Sequence, residues 1–98
     1  MGQLAQDILQ AIQRDEYAIG VHAMLRLRQR GIPAWQAVAA SLEGELMAED
    51  QSAEPNPKIE LRVLLPDGEQ AKTVWSWLAP DHAAKLVTIH FFDLAQPR

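Results

Sequence analysis

The feature that most limits what this chain can fold into is a change of hydrophobic period partway along it. Up to Leu42 the apolar residues recur every three or four positions, whereas from Lys58 onward they alternate. The first period belongs to helices that bury one stripe, the second to strands that bury one face. The polar, acidic segment Ala48 to Pro57, AEDQSAEPNP, lies between them and carries two prolines. Such a composition predicts a solvated linker. The expected class is therefore α+β, with two or three N-terminal helices packed on a three-stranded antiparallel sheet.

In the first segment Leu4, Ile8, Ala11 and Ile12 keep helical spacing, which predicts an amphipathic helix from about Gln3 to Arg14. Tyr17 to Val21 is ambiguous, with a break at Gly20 the favoured reading. His22 to Arg30 are good helix formers, and Gly31 stands where a left-handed C-terminal cap is wanted. Pro33 then suits the first turn of a third helix whose stripe is Trp35, Val38, Ala39 and Leu42.

Beyond the linker, Lys58 to Leu65 and Ala71 to Leu78 flank a Pro-Asp-Gly turn and read as a hairpin. A second turn at Ala79 to His82 leads to a last apolar strand, Lys85 to Phe92. The helical part is expected over about 3–47, the linker over 48–57 and the sheet over 58–93, all within one domain, 1–98. A length of 98 residues suits a single core, and 48% hydrophobic against 22% charged residues is ordinary globular usage.

The absence of cysteine excludes disulfides, thiol catalysis and thiolate metal sites. With no basic leader and no apolar run long enough to span a bilayer, a cytoplasmic protein without membrane attachment is expected. The five glycines form no phosphate-binding loop, and the three histidines stand far apart with no metal-ligand spacing. Neither a cofactor nor a metal is expected.

A formal charge of −4 argues against generic nucleic-acid binding. The charge is nevertheless segregated. His22 to Arg30 holds three arginines and no acid, whereas Glu43 to Glu60 holds six acids against Lys58. His22, Arg26 and Arg30 stand four apart and share one helix face. Such a face can hold phosphate through guanidinium forks while the imidazole moves a proton. The plainer alternative pairs the arginines with acids such as Glu43, Glu45 or Glu60 and lets them balance the helix C-terminus. The acidic segment, if it folds back, would cover the arginine face.

Trp75 and Trp77 lie on one side of their strand, and if that side faces water they form a partner-binding surface. His90, sharing a face with Thr88 and Phe92, is a candidate to meet the His22 face, but a lone histidine in an apolar strand is more often a hydrogen-bonded core residue. His82 reads as an exposed loop residue.

The string HAMLRLRQRGIPAWQAVAASL, followed by a polar gap, a hairpin and an apolar strand, resembles an uncharacterised bacterial family, domain of unknown function 4258. Its recurrent pattern is matched at His22, Arg26, Arg30, Gly31 and Ile32, and the resemblance covers roughly Tyr17 to Asp93. That family is similar in architecture to the small RelE-like and BrnT-like toxins of toxin-antitoxin systems, many of which cleave RNA. The resemblance implies a toxin-like fold, and architecture alone does not transfer activity. The leading expectation is a binding module that takes a protein partner or RNA through Arg26, Arg30, Trp75 and Trp77, or that associates with itself. The alternative is a metal-independent RNA endonuclease with His22 as general acid or base.

Overall fold

In the computed structural model, which describes residues 2–92, Leu4, Ala5, Ile8, Ala11 and Ile12 form the buried stripe of α1 (Gln3–Gln13). The helix stops at a Schellman motif: the Asp15 amide donates to the Ile12 carbonyl at 3.1 Å and the Glu16 amide to that of Ala11 at 2.8 Å. Asp15 takes the left-handed φ of 60° that this turn requires. The chain reverses into a three-residue strand, β1 (Tyr17–Ile19), and then enters α2 (Val21–Gln29).

Gly20 makes that tight transition possible. Its amide donates to the Leu86 carbonyl at 2.8 Å, and a Cβ on it would lie 2.9 Å from the same oxygen. At the far end of α2 the same cap recurs, with Gly31 at φ 67° and the Ile32 amide bonded to Leu27. The two partners of that cap, Leu27 and Ile32, are both buried. Pro33 then precedes α3 (Ala34–Leu42), whose Ala37, Val38 and Ser41 turn inward.

The strands β2 (Glu45–Asp50), β3 (Lys58–Leu64), β4 (Gln70–Leu78) and β5 (Ala83–Phe91) complete the chain, the last two joined through a short 3-10 turn at Ala79–Asp81. The five strands lie in the order β1-β5-β4-β3-β2, with β1 parallel to β5 and the other pairings antiparallel. Ile59, Leu61, Val63, Ala71, Trp75, Leu86 and Ile89 make the sheet's contribution to the core. The helices supply Ile8, Ile12, Ala23, Leu27, Ala37 and Val38. Among the described residues no helix is long and apolar enough to cross a membrane.

A three-residue hydroxyl and indole network lies inside this core. Ser41 Oγ donates to the Ala37 carbonyl at 2.8 Å, accepts from Trp75 Nε1 at 3.1 Å, and lies 3.1 Å from Thr73 Oγ1. The serine has a single proton, already committed to Ala37, so the threonine is the donor in the third bond. Ser41 thereby uses its one donor and both lone pairs.

The expected architecture needs correction. The sheet has five strands and is mixed, and β1 separates α1 from α2, so the helices do not form an uninterrupted N-terminal group. Helix does not extend to residue 47, and the expected linker over 48–57 shortens to 51–57 because Glu45–Asp50 pairs with β3. β2 is an outer strand, displaced by a register shift between Leu46 and Ala48, and it has no apolar alternation because little of it faces the core. The third predicted strand is β5, which ends at Phe91. The predicted sheet limit at residue 93 lies outside the described residues.

Trp75 does not offer a partner surface. It is fully buried and stands edge-on to Tyr17 with ring centroids 6.1 Å apart. Trp77 shares its face, is half-buried, and meets the His82 ring edge-on.

Candidate functional site

α2 runs beside β5, burying Ala23 and Leu27, with Arg26 alongside the strand. β1 covers the outer edge of β5 over Ala84, Lys85 and Leu86. Past that point Arg26 takes over: its Nε donates to the Ile89 carbonyl at 2.9 Å. One turn further, Arg30 forms an ion pair with Glu69 and lies over the Phe91 ring, 4.3 Å from its centroid. His22, at the start of the helix, is exposed.

The acid that holds Arg30 is therefore Glu69, in the hairpin turn, and not the acidic segment. The acids of that segment have other roles. Glu49 accepts a hydrogen bond from the Ala5 amide at 2.9 Å and so caps α1, whose N-terminal Gly2 has no side chain to do so. Asp50 accepts from the amide and hydroxyl of Ser52.

What the helix face lacks in free guanidinium is supplied by the sheet. On the side of β3, β4 and β5 turned away from the core, His90 lies directly across from Lys72, Lys72 across from Arg62, and Arg62 across from Glu45. Neighbouring strands are about 4.8 Å apart, so these side chains form one row. The adjacent row holds Thr88, Val74 and Glu60, and the next Lys85, Ser76 and Lys58.

Glu60 is the acid at the centre of the face, 3.3 Å from Lys72 Nζ and 3.9 Å from Lys58 Nζ. Arg62 is turned toward Phe92, with 5.2 Å between its guanidinium carbon and the ring centroid. Thr88 Oγ1 is buried and has no hydrogen-bond partner among the described residues. Cationic side chains thus outnumber acids on this face, although the chain as a whole is acidic.

His90 reports the field of this cluster. Desolvation lowers its pKa below the ordinary histidine value, and the positive charges of Lys72 and Arg26 add to the shift. Glu60 opposes them, and His22 contributes a smaller lowering. The two histidines therefore belong to one electrostatic cluster with Arg26 and Lys72. Burial is the first cause of the shift, yet the side chain remains largely exposed and is not a core residue.

Arg62 and Lys72 escape a reading based on helical spacing, because they belong to the sheet. The signal that finds them is the hairpin: a turn centred on Pro66 to Gly68 pairs Leu64 with Gln70 and so Arg62 with Lys72. Trp75 and Trp77 are not part of the cluster. Among the described residues no group of His, Asp and Glu side chains converges as a metal-ligand set. The chain matches no family model, no curated protein and no solved structure.

Proposed function

We propose that this chain is a small binding domain that takes the phosphate backbone of single-stranded RNA across His90, Lys72 and Arg62, beside His22 of α2. The observation that carries the reading is the cross-strand row itself, the cations Lys72 and Arg62 with the His90 imidazole beside them on the neighbouring strand. Backbone binding needs cations at fixed positions, and side chains on a sheet supply them with little loss of order. Phe92, half-buried at the end of the row, offers a ring on which a base can stack. Arg26 and Arg30 support the site by fixing α2 against β5, in place of the direct ligation expected from their spacing.

The test is an amide NMR titration of the labelled protein with a short single-stranded RNA over a salt series, followed by recovery of the RNA. Shifts centred on His90, Lys72, Arg62 and His22, weakening as salt rises, are expected. A Lys72→Ala, Arg62→Ala double variant should bind at least about tenfold more weakly. Shifts confined to other surfaces, or an unchanged affinity in the double variant, overturn the proposal. If an acidic peptide produces the same shifts and RNA does not, the face is a protein-binding one.

A second reading, metal-independent RNA cleavage, is favoured by one observation: desolvation, aided by the charges of Lys72 and Arg26, shifts the His90 imidazole toward the neutral form near a second histidine. In that reaction neutral His90 would take the proton of the attacking 2′-hydroxyl and His22 would return one to the leaving oxygen, with Lys72 steadying the phosphate. RNA cut by the wild-type chain and left intact by His90→Ala and His22→Ala supports it. RNA recovered whole from the wild-type titration removes it and leaves the binding reading in place.

A further inference from the structure

The outer side of α3 presents a surface that neither the core nor the RNA-binding face uses. Ala37, Val38 and Ser41 point inward, while the exposed Trp35, Ala39 and Glu43 and the partly buried Ala40 bound a groove closed on its other side by Leu64 and Pro66. Trp35 and Leu64 are each 65% exposed, a large apolar area left in water at one place. The alanines at the floor matter for what can enter. Small residues let a second helix axis approach closely, whereas a partner strand has no free sheet edge to pair with on α3.

The one charged residue that lines the groove itself is acidic. Glu43 lines it, and Glu45 lines the smaller depression that continues from it past Leu64 and that Glu43 also borders. Among the described residues the ion pairs are Arg30 with Glu69 and Glu60 with Lys58 and Lys72, and none involves Glu43 or Glu45. Arg62, which also borders the depression, is turned toward Phe92. An apolar floor with unspent carboxylates at one end is complementary to an amphipathic helix whose polar flank is basic.

We propose that the groove between α3 and the end of β3 is a docking site for a cationic amphipathic helix of a protein partner, its apolar side chains against Trp35, Ala39 and Leu64 and its Lys or Arg side chains on Glu43 and Glu45. The groove itself is separate from His90 and Lys72 and meets their row only at its end, where Glu45 lies across from Arg62; Trp35 and Glu43, on which the test rests, have no part in RNA binding.

The probe is a pair of synthetic helical peptides of identical leucine pattern, one with lysine and one with glutamate at the polar positions, titrated into the full labelled chain at low and moderate salt. The lysine peptide should bind, with shifts centred on the Trp35 indole, Ala39, Ala40 and Leu64. Trp35→Ala and Glu43→Lys, both at exposed positions that do not threaten folding, should each weaken it at least about tenfold. Glu54→Lys, in the loop at the opposite end of β2, should not. Equal binding of the glutamate peptide, shifts spread over the acidic surface, an equal loss in the Glu54 control, or no binding at all would overturn the proposal. So would sedimentation showing that the free chain dimerises through Trp35, which would make a second copy the occupant.

Discussion

Arg26 Nε donates to the backbone carbonyl of Ile89 at 2.9 Å, so the guanidinium that the helix pattern offers to phosphate is spent on the edge of a strand. That carbonyl lies past Leu86, where β1 no longer pairs with β5. Removing the side chain takes away a charge-assisted bond and leaves the strand edge unpaired there. Arg26→Ala is expected to cost about 1.5 kcal/mol in urea unfolding. Arg30→Ala removes a half-exposed pair and a ring contact, and should cost less, within about 1 kcal/mol. The reverse order would mean that the Arg26 bond contributes little to holding α2.

Ser41 makes a sharper case, because its hydroxyl accepts from two buried donors. Ser41→Ala leaves both the Trp75 indole N–H and the Thr73 hydroxyl without their partner in the buried core, at an expected cost of at least about 2 kcal/mol. Thr73→Val added to it removes one of the two orphans and packs as well. The double variant should therefore be less destabilised than the two single losses summed. Strict additivity in denaturant unfolding would show that the three groups do not act as a network.

How far the sequence reveals this arrangement depends on how local each cause is. α1 announces itself through its apolar stripe, the end of α2 through Gly31 and Pro33, and the hairpin of β3 and β4 through Pro66 to Gly68. α3 is found by its spacing after Pro33, but of the stripe Trp35, Val38, Ala39 and Leu42 only Val38 is buried, and the helix packs through Ala37, Val38 and Ser41 instead. β1 has only Tyr17 to Ile19 and is a strand because β5 lies beside it, a contact 67 residues along the chain at Tyr17 and Ala84. β2 is polar because it sits at the sheet's outer edge, so its sequence reads as the end of the helical part up to residue 47 and as solvated linker from Ala48. The candidate site divides in the same way. His22, Arg26 and Arg30 are visible as a helical face. Joining them to Lys72 and His90 requires both the strand order and the extra residue, Val87, that resets the register between Val74 and Trp75. Trp75 and Trp77 are legible as neighbours on one face, but which face meets the helices is decided by the packing of α1 and α3.

Glu49 links the edge strand to the first helix. Its carboxylate accepts from the Ala5 amide, and Gly2 has no side chain with which to replace it. Glu49→Ala should cost about 1 kcal/mol and speed amide exchange in the first turn of α1 before any global unfolding. Exchange rates at Leu4 and Ala5 that match the wild type would show that the cap is not held in solution.

The field around His90 can be measured residue by residue. Its folded pKa lies below that of the unfolded chain, so between the two values the unfolded chain binds more protons. Stability contributed by this group is present above the ordinary histidine value and is lost as pH falls through the lowered folded value. The loss should be small, since solvent screens a side chain this exposed. The titration itself, followed through the His90 ring protons by NMR, is the more discriminating readout. Lys72→Gln removes a cation that disfavours the imidazolium and should raise the His90 pKa, whereas Glu60→Gln removes the opposing anion and should lower it further. The two variants therefore move one resonance in opposite directions, which a general loosening of the sheet would not do. If His90 titrates identically in wild type and Lys72→Gln, then Lys72 is not part of its electrostatic surroundings, and the row proposed to hold phosphate loses its central member.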